Sequence, residues 1–397
     1  MKKIVFCFLG LLAVLYTASA QSYTFNHGPY LQELSEHAVT FVFTTSDKGF
    51  SWVEVKPDGG EAERHYTVRN GLRDAYNTFN VIRVENLRPD TRYQYRLCSK
   101  QIADFQPYKV TFGDSIVSPW RRFSTPDPKA TACSFIALSD MHQQPDKLGR
   151  LLNQAGVGSA DMIFYVGDMM NYYDNEETPF RSFIDKSVEL FASEKPFVLV
   201  RGNHETRGNM AREYARYVPK SSGKYYGAYR VGDIMFIVLD CGEDKPDDFW
   251  VYAGLTDFDG YRTEQAAWFG ELIRSKAYKS AKWRIVMNHF PPLSHMESDN
   301  PERHGIQDIT DKFLPLYNQA KIDLMISGHT HAYEFMSPDK YDRLTFPVIV
   351  NSTESVARID IDGRTLKAKV TDTGGNTLKE FTISKYPAVS TFYKAGA

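Results

Sequence analysis

The chain has 397 residues, with 47 Lys and Arg against 49 Asp and Glu, a formal net charge of −2, and 42% hydrophobic and 14% aromatic residues. That length exceeds one ordinary core, so two domains are expected. The composition is that of an ordinary globular protein and excludes a chain disordered throughout, and the balanced charge gives no sign of a basic surface for nucleic acid.

At the amino terminus, Lys2 and Lys3 precede an apolar stretch from Ile4 to Tyr16, followed by Thr17-Ala-Ser-Ala20. This reads as a secretory signal peptide over residues 1–20, with an A-x-A cleavage site and a mature chain beginning near Gln21. The stretch falls short of the ~20 residues that span a bilayer. Cys7 sits within it and not at the cleavage point, which argues against a lipid-anchored terminus. No other segment could span a membrane, so the chain is expected to cross the inner membrane and work in the periplasm or outside the cell, without stable insertion. Cys98, Cys133 and Cys241 then remain, an odd number in separate elements, and three buried free thiols are expected.

Residues 21–125 read as strand after strand with no helix. Val39–Phe43, Trp52–Val55, Phe79–Val84 and Tyr93–Leu97 mostly alternate apolar with polar residues, and Pro57-Asp-Gly-Gly60 and Arg88-Pro-Asp90 are turn signals. The pattern predicts an antiparallel β-sandwich. Arg122 to Ala130, with Pro126 and Pro128, makes a linker.

Residues 131–385 form the second expected domain. Ser134–Leu138, Ile163–Val166, Phe197–Val200, Ile285–Met287 and Leu324–Ile326 are short apolar runs that read as buried strands. Helical patterns between several of them imply right-handed crossovers and a mostly parallel sheet, with ligands beyond the carboxyl ends of the strands. Thr178-Pro179 predicts a helix start, with Phe180, Phe183, Ile184, Val188 and Phe191 at helical spacing. A second helix is predicted from near Thr263, carrying Ala266, Trp268, Phe269, Leu272 and Ile273. Ala357–Ile361, Leu366–Val370 and Leu378–Ile383 predict two hairpins closing the second sheet.

Each of the five strands ends in residues that bind metals: Asp140 with His142, Asp168, Asn203 with His204, His289, and His329 with His331. Five of the ten histidines fall in this pattern. Carboxylate and amide oxygens combined with imidazole suit iron, zinc or manganese, and there are too many ligands for one ion. Histidines scattered through a core would have no reason to follow strand after strand.

In order, Asp140-Met-His142, Gly167-Asp168, Gly202-Asn-His-Glu205, Val286-Met-Asn-His289 and Gly328-His-Thr-His331 resemble the motifs of the calcineurin-like metallophosphoesterase superfamily. The resemblance covers roughly Cys133 to Ser352. A sandwich ahead of that domain, with Gly328-His-Thr-His-Ala-Tyr-Glu334, looks closer to the purple acid phosphatase branch, and Asn86–Tyr95 resembles the corner entering a late strand of fibronectin type III domains. The implied fold is a four-layer α/β/β/α domain preceded by an antiparallel β-sandwich.

The resemblance also implies a ligand set. Asp168 would be shared by two metals, Asp140, His142 and His331 would hold the first, and Asn203, His289 and His329 the second. Two cations about 3.5 to 4 Å apart can hold a bridging hydroxide for attack on a phosphate ester. His204 resembles the non-ligand histidine that protonates the leaving oxygen or hydrogen-bonds the phosphate, joining Asp168 and Asn203 in catalysis, and Glu205 is a candidate to orient it. His295, His304 and Arg201 are candidates to touch the phosphate, and Met169, Met170, Tyr173 and Tyr333 to wall a pocket, although packing suits those four better.

Two positions depart from the purple branch. Its D-x-G glycine is His142 here, and its G-D-x-x-Y tyrosine is Asn171, with Tyr172 one place further on. Imidazole in place of phenolate removes a negative charge, so two divalent ions and a colourless protein are expected. Phosphomonoester hydrolysis is the leading reading. Diester cleavage or nucleotide hydrolysis at the same site is the second, and a non-catalytic module whose sandwich binds a partner is the third.

Overall fold

The computed structural model describes residues 22–293, 295–296 and 299–385. The proposed signal peptide lies outside them. Among the described residues, no helix is long and apolar enough to cross a membrane.

An antiparallel sheet of seven strands comes first. Its spine is one 19-residue strand, Val39–Pro57, where the sequence reading placed two. Polar Ser46, Asp47 and Lys48 separate the two apolar runs, and the chain passes through them in a bulge between Thr44 and Gly49 and continues. Before the bulge the strand pairs with Tyr30–Gln32 and Asn77–Val84; beyond it, with Arg92–Gln106 and Glu63–His65. The sheet folds on itself, and residues from both ends of the long strand, among them Phe41, Phe43, Val53 and Val55, join Tyr95, Leu97 and Phe123 in one core. The Tyr93 hydroxyl accepts a hydrogen bond from the Arg88 backbone at 2.8 Å, the contact by which a tyrosine corner pins a strand entry.

Beyond it, two six-stranded sheets lie face to face. One runs in the order Phe197–Val200, Met162–Val166, Cys133–Leu138, Ser355–Ile361, Thr365–Asp372, Thr377–Ser384; the other runs Gly227–Val231, Ile234–Val238, Trp283–Met287, Leu324–Ser327, Val348–Val350, Glu334–Met336. The five motif strands therefore divide three and two between the two sheets of the expected four-layer domain. Periodicity marks a strand as buried but does not say in which sheet. The carboxyl-terminal hairpins extend the sheet of Cys133–Leu138, not the other.

Alternation along each strand explains the layers. Phe135 and Ala137 face the opposite sheet, while Ile136 and Leu138 face helices. Between the sheets, Phe236 meets Phe135 and Phe164 at ring separations of 5.2 and 5.1 Å. Helix Pro145–Gln154 and the helical stretch from Phe180 to Ala192 cover one outer face; Phe258–Leu272 and Arg303–Ala320 cover the other. Two turns of the 180–192 stretch are π-helical. Thr178 does not cap it, because its hydroxyl bonds back to Asp174. The helix predicted from Thr263 starts five residues earlier, at Phe258. Cys98, Cys133 and Cys241 are buried and unpaired.

The amino-terminal sheet packs on the first helical face. Tyr30 donates to the Tyr217 carbonyl at 2.8 Å, Tyr95 to the Ser193 carbonyl at 2.6 Å, and His27 meets Asp185 at 3.0 Å.

Candidate metal centre

Five turns meet beyond the carboxyl ends of the parallel strands, where α/β sheets place their ligands. Asp140 and His142 follow Cys133–Leu138, Asp168 follows Met162–Val166, and Asn203 and His204 follow Phe197–Val200. His289 follows Trp283–Met287, and His329 and His331 follow Leu324–Ser327 in the other sheet. The centre thus straddles the seam between sheets.

Asp140, His142, Asp168, His329 and His331 all have φ between 45° and 75°. This left-handed region costs a residue with a side chain roughly 1 kcal/mol or more, and it persists where the surroundings fix it. Here the turns hold one another. The Asp140 amide donates to the Gly167 carbonyl at 3.0 Å, the His142 amide to the Asp168 carbonyl at 3.1 Å, and the His329 amide to the Asp140 carboxylate at 3.1 Å. Two glycines permit the approach, since a Cβ on Gly202 would collide with Asp168 Oδ1 and one on Gly328 with Asp140 Oδ2.

Two ligand groups result. Asp140, His142, Asp168 and His331 form one, and Asp168, His289 and His329 the other; within each, the ligand atoms lie within 4.8 Å of one another. Asp168 is common to both. His142 Nε2 and His331 Nε2 are 3.0 Å apart, and His289 Nε2 lies 3.1 Å from Asp168 Oδ2. Asn203 Oδ1 and His329 Nε2 are buried with no hydrogen-bond partner among the described residues. An unsatisfied buried polar atom costs about 1–3 kcal/mol, a cost that a cation would offset, so the donor set fits two metal ions.

Neighbours orient the imidazoles. A carbonyl can only accept, so His289 Nδ1 donates to Val166 O at 2.7 Å, leaving Nε2 free to take a proton or a cation. His142 Nδ1 donates likewise to Asn171 Oδ1 at 3.0 Å, and the Asn171 amide is itself set by donating to Gln143 Oε1 at 3.1 Å. Tyr172 belongs to neither ligand group, and its 57% exposed ring lies 6.3 Å from that of His204.

Burial pushes His142 down to about 4 and His329 to about 3, so both rings are neutral near pH 7, the form that ligates metal. Burial pushes Asp140 up to about 7, with Asp168 adding repulsion. Burial opposes ionisation of Asp168 too, but His289 and His204 outweigh it and hold the carboxylate far below the usual range. For His289, burial is overcome by the Asp168 charge, raising it to about 10.

The His204 amide donates to Asp168 Oδ1 at 3.0 Å. Its ring Nδ1 donates to the Asn171 carbonyl at 2.8 Å, and Nε2 accepts from Arg207 Nη1 at 3.1 Å. Glu205 does not orient this ring. Its buried carboxylate accepts from the backbone amides of Asp168, Met169 and Gly202 at 2.8–2.9 Å, stapling two ligand turns together.

Arg207 escaped the sequence reading. Its guanidinium forks onto Glu243 at 3.0 and 2.9 Å and reaches Asp244 at 3.2 Å. An arginine three residues past His204 was the available signal; its acidic partners, in a loop without pattern, gave none.

The candidate phosphate contacts lie outside both ligand groups. Arg201 is part-buried and paired with Asp240 at 2.7 Å. His304 is paired with Asp259 at 2.8 Å, and exposed His295 with Glu334 at 3.3 Å. Met169, Met170 and Tyr173 are core residues, and Tyr333 packs against the layer between the sheets.

Comparison with known proteins agrees with this geometry. Probable purple acid phosphatase 20 of Arabidopsis thaliana is 25% identical over 206 residues, 48% of this chain and 44% of its own length. Purple acid phosphatase 21 of the same plant is 22% identical over 277 residues, 66% of this chain and 55% of its own. The chain thus spans about half the length of these curated relatives. A purple acid phosphatase from yellow lupin (Lupinus luteus) seeds shares the fold at a TM-score of 0.65 and 15% identity, over 90% of this chain and 74% of that one. PhoD does so at 0.59 and 13%, over 90% and 89%. Residues 133–333, half of the sequence, match the calcineurin-like phosphoesterase family and include all five ligand turns, so the chain belongs to that family.

Proposed function

We propose that the protein is an exported, dinuclear metal-dependent phosphomonoesterase. The observation that carries this reading is the pair of ligand groups joined at Asp168, one of them containing a buried, unpartnered His329 Nε2. Asp140, His142 and His331 would hold one ion, Asn203, His289 and His329 the other, and Asp168 both. When bound, two cations supply Lewis-acid charge that screens a phosphate and lowers the pKa of water.

The chain's own residues do the rest. Asp168, fixed by the His204 amide and the Glu205 staple, sets the spacing of the two groups. With Nδ1 committed to a carbonyl, His204 can exchange a proton only at Nε2, which faces Arg207. His204 and Arg207 together are suited to meet the phosphate or its leaving oxygen. With a histidine and Asn171 where the purple branch has glycine and tyrosine, the metal-loaded protein should be colourless; a strong visible band lost on Tyr172→Phe would show otherwise.

The test is hydrolysis of 4-nitrophenyl phosphate beside bis(4-nitrophenyl) phosphate, with and without chelator. Turnover of the monoester that chelation abolishes supports the proposal. Preference for the diester would make the protein a phosphodiesterase, and no turnover of either with any divalent metal would leave a binding module. Export is supported by Lys2, Lys3 and the apolar run to Tyr16, and amino-terminal sequencing of exported protein should begin near Gln21. We likewise read residues 21–125 as a fibronectin type III-like domain, supported by the Tyr93 corner, and residues 131–385 as the phosphoesterase domain.

A further inference from the structure

A cleft of about 870 Å³ lies beside His204, within the size range of small-ligand sites. Arg207 joins it to the centre, lining the cleft while donating to His204 Nε2 at 3.1 Å. Four rings wall it, those of Tyr225, Tyr252, Phe258 and Tyr261, with Leu255 at the rim. Tyr252, Phe258 and Tyr261 belong to none of the packed cores of the described residues. All four rings are part-exposed, and Leu255 is 70% exposed.

The wall is stiff. Arg201, held by Asp240 at 2.7 Å, sits 4.6 Å from the Tyr225 ring centre. The Tyr252 hydroxyl donates to Glu243 at 3.0 Å, the carboxylate that also clamps Arg207. The same acidic group thus fixes both the cationic link to the centre and one aromatic wall. Of the four, Tyr252, Phe258 and Tyr261 are part-exposed rings that pack against no core and offer faces on which a flat, unsaturated ring can stack.

We propose that this cleft holds the leaving half of the substrate and that this half is a planar aromatic group. The inference rests on the phosphomonoesterase reading and names its substrate class. In the step concerned, the bond between phosphorus and the ester oxygen breaks and water's oxygen bonds to phosphorus. The released oxygen takes up a proton, giving phosphate and an alcohol whose ring stays stacked in the cleft. A nucleoside and a simple benzyl group share this chemistry.

The test uses AMP, benzyl phosphate and glycerol 3-phosphate, three alkyl esters, with the full-length protein loaded with manganese or zinc. At least one aromatic ester should exceed glycerol 3-phosphate in kcat/KM by roughly tenfold, through KM. Phe258→Ala, and Leu255→Ala at a position that is 70% exposed, should remove that preference by raising KM for the aromatic esters several-fold more than for glycerol 3-phosphate. Preference for AMP alone assigns a nucleoside, and for benzyl phosphate alone a simple aryl group. Equal kcat/KM for all three overturns the inference while leaving the phosphatase reading intact. If no ester turns over, calorimetry decides: adenosine or benzyl phosphate binding that Phe258→Ala weakens keeps the cleft and discards the phosphatase, and no binding of either overturns the cleft.

Discussion

The two halves of the metal centre are built from similar ligands but placed differently. His289 is wholly buried and His329 is half-buried with its Nε2 enclosed, and His289 is anchored to the Val166 carbonyl. In the other half, the His331 side chain is 53% exposed and His142 is held by one asparagine. A buried ligand is part of the core that positions it, and an exposed one is held mainly by the ion. Loss of a histidine ligand should therefore cost stability at His289 and only metal and activity at His331.

The hardest blow to that contrast is Asp168→Asn, which weakens both halves together. Hydrolysis of 4-nitrophenyl phosphate should fall by about a thousandfold or more, several kcal/mol of barrier, and metal content measured by atomic emission should drop at both sites. Activity within tenfold of the parent would end the idea of a shared carboxylate.

A paired comparison of His289→Ala and His331→Ala comes next. Urea unfolding in the presence of chelator should show a loss of about 2 kcal/mol for the first, which takes the histidine from the buried Asp168 Oδ2 and the Val166 carbonyl, and under about 0.5 kcal/mol for the second. Equal losses would erase the difference between the halves.

Asn171→Ala sharpens it. Freed at Nδ1, His142 should bind its ion some 10- to 100-fold more weakly while the other ion is retained, as competition with a metal-sensitive dye would report. Loss of both ions at once would mean that the halves are one site.

The smallest effect lies far from the centre. Its Asp185 partner raises the pKa of His27 above the ordinary value near 6.5, against the opposing effect of burial, and Glu177 adds to the rise. A raised folded pKa gives stability that is complete below the ordinary value and fades as pH climbs through the raised one. His27→Gln should lower unfolding free energy more at pH 6 than at pH 8.5, by an amount on the order of 0.5–1 kcal/mol, without altering metal content. A drop independent of pH would assign His27 to packing against Phe180, whose ring stacks 4.0 Å away.

The ligand turns were legible in the sequence because chemistry and strand rhythm coincide there: short apolar runs end in Asp, Asn or His, and the turns converge as read. What lay hidden depends on partners distant in sequence. The Glu243 clamp reaches Arg207 across 36 residues, and Glu205 spends its carboxylate on backbone amides, which no side-chain pattern announces. Strand assignment between sheets was equally silent, since Phe135 and Phe236 carry the same local pattern and differ only in which sheet they enter. The bulge past Thr44 hid the continuity of the long strand for a local reason, because polar residues interrupt its apolar alternation.

The left-handed ligand turns, each propped by a neighbour 26 or more residues away, carry a consequence for kinetics. Contacts so distant along the chain form late, after both sheets have docked. Metal should therefore act as a brake on unfolding and leave the folding rate nearly unchanged, with stopped-flow chevrons moving on the unfolding arm alone. A protein that has shed its ions would keep its shape at equilibrium yet lose its persistence, opening many times more often in surroundings where proteases wait.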